Sequence, residues 1–135
     1  MEPSKIKILI VEDEEILLTA LSEELKQEGF NVVGAKDGVE GVETAAKEQP
    51  DLVLLDLVMP RLDGIGALKQ LKEAANTKDI PVVILTNLSD YDKISDALSL
   101  GAMDYLVKAN YRLEDLVNKI KTVLERRAAT PGAAA

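Results

Sequence analysis

The chain has 135 residues, no cysteine, no histidine and a formal net charge of −8. Those facts exclude disulfides, thiol nucleophiles and Ser-His-Asp or Cys-His catalysis, and they remove the usual zinc ligands. The acidic balance and the lack of a basic run argue against nucleic acid or an anionic membrane as a partner.

The predicted elements alternate short apolar runs with segments of helical period. Residues 6–11 are apolar except for Lys7 and end at Glu12-Asp13, the first expected strand. Leu17, Leu21 and Leu25 follow at four-residue spacing, and Gly29 stops that helix. Asn31 to Ala35 reads as a second strand. Asp37, with Glu40 three residues on, reads as a helix N-cap ahead of Val42, Ala45 and Ala46. Leu52 to Leu55 is a third strand ending at Asp56, and Asp63-Gly64 opens a helix carrying Ile65, Leu68 and Leu71. Val82 to Leu85 is a fourth strand ending at Thr86. A helix from about Asp90 sets Ile94, Ala97 and Leu98 on one side. Ala102 to Val107 is the fifth strand, ending at Lys108. The last helix carries Leu113, Leu116, Val117, Ile120, Val123 and Leu124.

Five βα units in one domain, residues 5–127 with a tail or linker at 128–135, predict an α/β fold. Strands apolar throughout imply a parallel sheet covered on both faces. Right-handed crossovers and five strands favour a doubly wound, flavodoxin-like order 2-1-3-4-5. No apolar run approaches the ~20 residues of a membrane span, and the opening Met1-Glu2-Pro3-Ser4 is unlike an export signal, so cytoplasm is the expected compartment.

In open parallel sheets, chemistry gathers at the carboxyl ends of the strands. Those ends carry Glu12-Asp13, Asp56, Thr86 and Lys108, whereas strand 2 ends without a functional group. Neighbouring strands lie ~4.8 Å apart, so short side chains from strands 1, 3 and 4 can meet. Strand 5 is about 10 Å from strand 3, a gap that only a long side chain such as Lys108 crosses. Clustered carboxylates raise one another's pKa unless a cation is present, and oxygen-only ligands suit Mg²⁺ or Mn²⁺. A carboxylate flanked by a metal, a lysine and a hydroxyl is equipped to attack a phosphoryl group, and Asp56 is the central one. Singly, Asp13 reads as a helix cap, Thr86 as a strand-end hydroxyl, Lys108 as a solvated lysine, Tyr105 as core or rim, and Asp63-Gly64 as a turn and cap. Their ordered arrival on one edge is what favours a site.

At this point the chain resembles the response-regulator receiver family from about Lys5 to Leu124. The marks are Ile8-Leu9-Ile10-Val11-Glu12-Asp13-Glu14, Leu54-Leu55-Asp56-Leu57-Val58-Met59-Pro60 with Asp63-Gly64, Val83-Ile84-Leu85-Thr86, and Gly101-Ala102-Met103-Asp104-Tyr105-Leu106-Val107-Lys108. The resemblance implies that Asp56 accepts phosphate from a phosphohistidine on a partner kinase or phosphotransfer protein. It implies that Asp13 and the backbone carbonyl of Val58 ligate the metal, with Glu12 acting mainly through water. It assigns Thr86 and Lys108 to the phosphoryl oxygens and Tyr105 to a rotameric switch following Thr86. The fourth helix, fifth strand and fifth helix would then signal to an effector, from a monomer or a phosphorylation-linked dimer.

The chain departs from the family pattern at Ala109, where Pro is usual, and at Asn87, where a small residue is usual. Val58 and Leu88, two residues past Asp56 and Thr86, are apolar where a polar side chain could orient an attacking water. The phospho-form is therefore expected to be long-lived. Polar residues at both positions should shorten its lifetime, as followed by loss of the phosphoryl mass, and an unchanged lifetime would refute this.

Three other readings compete with this one. A dehalogenase-type aspartate phosphatase needs a second Asp two residues past the nucleophile, where Val58 stands. A flavodoxin-like cofactor binder needs a phosphate loop where this chain has Glu12-Asp13-Glu14-Glu15. A receiver-like module that works without phosphorylation is separated from the main reading by metal-dependent phosphorylation.

Overall fold

The apolar runs pair as a five-stranded parallel sheet in the order β2-β1-β3-β4-β5, with β1 at Lys7–Val11, β2 at Asn31–Ala35, β3 at Leu52–Asp56, β4 at Val82–Thr86 and β5 at Asp104–Val107. A computed structural model describes residues 3–59, 61–86, 91–108 and 111–129. The helices are α1 (Glu15–Gln27), α2 (Gly38–Glu48), α3 (Gly64–Glu73), α4 (Tyr91–Ser99) and α5 (Leu113–Ala129). The expected doubly wound, flavodoxin-like α/β fold is therefore the observed one. Among the described residues no helix is long and apolar enough to cross a membrane.

Helix boundaries follow local chemistry. Asp37 and Asp63 cap α2 and α3, their side chains accepting from the backbone N–H of Glu40 and Gly66 at 2.8 Å each. Gly29 and Gly101, with φ of 97° and 111°, turn the chain after α1 and α4.

Period-2 alternation sorts the strands into two cores. Ile8, Ile10, Leu52, Leu54, Val83, Leu85 and Leu106 pack with α1 and α5. Leu9, Val11, Val53, Leu55, Val82 and Ile84 pack against α2, α3 and α4. β1, β3 and β4 are buried along nearly their whole length.

The outer strands differ from the expectation of burial on both faces. In β2 only Ala35 is buried, and in β5 only Leu106. An edge strand has a neighbour on one side only, so helices overhang it incompletely. β5 also begins at Asp104 rather than Ala102, although the Met103 N–H still donates to the Val82 carbonyl at 2.9 Å. Leu98 does not join Ile94 and Ala97 in the core; it is exposed on α4. Asp90, Asn87, Leu88 and Ala109 lie outside the described residues.

Candidate functional site

Alternation carries past the strand ends and decides which side chains meet. Glu12 continues the phase of Ile8 and Ile10, Asp56 that of Leu52 and Leu54, and Lys108 that of Leu106. All three thus fall on the α1–α5 side. Lys108 Nζ lies 2.7 Å from Glu12 Oε1 and 3.0 Å from Asp56 Oδ2. Asp13 completes the group: Glu12, Asp13 and Asp56 each offer an oxygen, all within 4.8 Å of one another. Glu12 and Asp56 are buried, whereas Asp13 is open to solvent.

The arrangement is electrostatically unbalanced. Glu12 Oε1 and Asp56 Oδ2 are sealed from solvent with no hydrogen bond of adequate geometry, and among the described residues the Lys108 ion pairs compensate them. The remaining oxygens are better placed: Asp56 Oδ1 accepts from the Val58 N–H at 3.2 Å and Glu12 Oε2 from the Glu14 N–H at 3.4 Å. Burial, and then the adjacent Asp56 carboxylate, push the Glu12 pKa up to about 8 against the opposing pull of Lys108. Burial works to lower the Lys108 pKa, but Glu12 and Asp56 outweigh it and hold it above its ordinary value. That raised pKa keeps Lys108 cationic around neutral pH.

A site with surplus negative charge, oxygen donors only and orphaned buried oxygens fits a hard divalent cation such as Mg²⁺. The shift on Glu12 gives a signed expectation for the metal-free protein. Its folded pKa of about 8 exceeds the ordinary 4.5, so the folded state holds an extra proton between those values. That stability is complete below pH 4.5 and is lost as pH rises toward 8. Urea unfolding across this window should show a smaller decline for Glu12→Gln than for the parent chain; parallel curves would refute it.

Thr86 and Tyr105 take the opposite phase. Thr86 follows Val82 and Ile84 toward the α3–α4 side, and Tyr105 sits beside Ile84 in the β4–β5 register. Thr86 is buried, and its carbonyl accepts from the Lys108 N–H at 2.8 Å, tying the two site residues through the backbone. Tyr105 is a rim residue, 37% exposed. Lys119 stands 5.5 Å from the centre of its ring, donates to its carbonyl at 2.7 Å and pairs with Asp104 at 3.2 Å. Val58 lends its backbone to the Asp56 carboxylate and turns its side chain outward.

Several features escaped the sequence reading. Glu12 is a buried partner of Lys108, a pairing that strand spacing did not reveal. Beyond the end of strand 2, the cap residue Asp37 has a second contact: its Oδ2 accepts from Arg61 Nη1 at 2.9 Å, across to the β3–α3 loop. Asp63-Gly64 does cap α3, but Gly64 also presses on the site. A Cβ there would collide with the Asp56 carbonyl oxygen and the Leu57 Cα.

Comparison with known proteins shows the family. A family model described as the response regulator receiver domain matches residues 8–121. The transcriptional regulatory protein PdtaR of Mycobacterium tuberculosis is 42% identical over 121 residues, covering 89% of this chain and 57% of that protein. The chain spans about half the length of the curated relatives it matches. A putative response regulator from Chloroflexus aurantiacus superposes with a TM-score of 0.84 at 30% identity, covering 90% of this chain and 98% of that one. The receiver domain of a sensor histidine kinase from Pseudomonas aeruginosa superposes with a TM-score of 0.82 at 27% identity, covering 89% of this chain and 98% of that one. That structure is described with a magnesium ion coordinated in its active-site cleft. With its sheet order, its acidic strand ends and these matches in agreement, the chain belongs to the response regulator receiver domain family of two-component signalling.

Proposed function

We propose that Asp56 accepts a phosphoryl group from a sensor histidine kinase, a phosphotransfer protein or a small acyl phosphate. The observation that carries this reading is a buried Asp56 carboxylate 3.0 Å from the Lys108 ammonium, with oxygens of Glu12 and Asp13 within 4.8 Å.

An Asp56 oxygen attacks phosphorus in line. The new P–O bond forms as the donor's P–N or P–O bond breaks, and the leaving group departs with the electron pair. Lys108 begins against Asp56 Oδ2 and shifts only slightly to meet the arriving phosphoryl oxygens. Thr86 supplies a hydroxyl donor from the neighbouring strand end. Bound through Asp13, Asp56 and the Val58 carbonyl, with Glu12 behind them, Mg²⁺ or Mn²⁺ would neutralise charge developing on those oxygens. The domain catalyses only its own phosphorylation and dephosphorylation.

The product adds about −1.5 to −2 charge beside Thr86. Thr86 moves toward it, and Tyr105 leaves Lys119 to fill the vacated space, altering the α4–β5–α5 face read by an effector. We take residues 5–127 as the working domain and 128–135 as a tail or linker, with α5 running to Ala129. A kinase donor of this kind places the domain in the cytoplasm.

The test is intact mass after incubation with acetyl phosphate, with and without Mg²⁺. One added phosphoryl group that requires the metal is the expected result. No gain from acetyl phosphate or from any phosphohistidine donor would overturn the reading.

A further inference from the structure

The loop between β3 and α3 carries the Val58 carbonyl, and its two ends are held differently. The near end is fixed within the site, where the Val58 N–H meets Asp56 Oδ1 at 3.2 Å and the Gly64 N–H donates to the Leu57 carbonyl at 3.0 Å. The far end contains Arg61 with φ of 66°, a left-handed conformation that non-glycine residues adopt only when their surroundings impose it.

Two contacts impose it. Arg61 Nη1 donates to Asp37 Oδ2 at 2.9 Å, reaching across to the start of α2. Leu62 is wedged between two glycines: a Cβ on Gly38 would collide with the Leu62 carbonyl, and one on Gly66 would lie 2.6 Å from Leu62 Cδ1. Asp37 needs only one oxygen to cap α2, and it gives Oδ1 to the Glu40 N–H. Its second oxygen is committed to the loop. Although Arg61 is largely exposed, Asp37 is nearly buried, so the pair has one fixed member.

We propose that the Asp37–Arg61 ion pair is a latch that holds the β3–α3 loop where the Val58 carbonyl meets the metal, making both positioning residues for Mg²⁺ binding. The latch rests on the phosphoacceptor reading, because it gives Val58 its place in the metal site. It acts through backbone placement, since neither side chain touches Asp56 among the contacts described.

Calorimetric titration of the whole chain with MgCl₂ tests it, using Asp37→Asn, Arg61→Gln, the double variant, Arg61→Lys and Arg61→Gly. Asp37→Asn keeps a capping oxygen and removes only the charge. Each loss of the pair should weaken Mg²⁺ binding roughly 10-fold, the lower end of what supporting partners cost. The double variant should be no worse than either single one, and Arg61→Lys should recover part of the loss. Arg61→Gly discriminates most sharply. Glycine relaxes the left-handed backbone, so a merely structural Arg61 predicts unchanged or better folding with intact Mg²⁺ affinity, whereas the latch predicts good folding with weakened affinity. Parent-like Mg²⁺ affinity in the single variants, alongside metal-dependent phosphorylation of the parent chain, would overturn the latch and leave the phosphoacceptor reading standing. A parent chain that neither binds Mg²⁺ nor gains phosphate would overturn both.

Discussion

Exchanging Asp56 for Asn is expected to abolish phosphorylation while stabilising the metal-free protein by about 1–3 kcal/mol. The first half follows from losing the nucleophile. The second follows from the charge imbalance. Asp56 Oδ2 and Glu12 Oε1 are both buried, both without a well-formed hydrogen bond, and share one lysine. Removing one negative charge ends their repulsion and leaves Lys108 with Glu12 as a matched pair. The Glu12 pKa should then fall, losing the push of the Asp56 carboxylate while keeping that of burial, and the pH-dependent loss of stability should be reduced with it. Urea unfolding at pH 8 in a chelator, with acetyl phosphate labelling in parallel, checks both halves. An Asp56→Asn protein less stable than its parent would show that the pair with Lys108 outweighs the repulsion. The expected gain would mark a site that trades stability for function.

Gly64→Ala should destabilise the fold by about 3 kcal/mol and slow phosphorylation. The colliding atoms are the Asp56 carbonyl oxygen and the Leu57 Cα, which are backbone and have no rotamer to escape into. The methyl group must push the start of α3 away from the end of β3, where the proposed nucleophile Asp56 stands. Gly34→Ala is the matched control, because its new Cβ would lie 3.3 Å from the tip of Leu18, a flexible side chain. Urea midpoints and the initial rate of mass gain should therefore separate the two variants clearly. If Gly64→Ala matched Gly34→Ala in both, the close approach would have no bearing on the site.

The sheet order and the strand-end residues were legible in the sequence because each rests on a short-range signal. Apolar runs of strand length mark β1, β3 and β4, and a polar residue at the end of a buried strand stands out. The reach of Lys108 followed from strand spacing alone. What was missed depends on three-dimensional company. Val32 and Val33 look like central-strand residues, and only the pairing order shows that β2 is an edge. Leu98 is as apolar as its neighbours, but α4 turns it outward. Asp37 gave a complete account of itself as a helix cap, leaving no reason to seek a second partner. The positive φ of Arg61 has no marker in its side chain, as it would have had in a glycine or asparagine. The Glu12–Lys108 pair went unseen because strand distance matched Lys108 to Asp56, although strand phase sends Glu12 inward as well.

The unequal depth of the strands also bears on how the molecule opens. β1, β3 and β4 each have strand neighbours on both sides and are buried nearly throughout, so their amides can be freed only when the whole domain unfolds. β5 spans four residues, is paired on one side only and has a single buried residue. It can detach locally at a fraction of the global cost. Tyr105 is carried on that strand, so the proposed switch residue sits in the region cheapest to rearrange, and the proposed phosphoacceptor Asp56 in the stiffest.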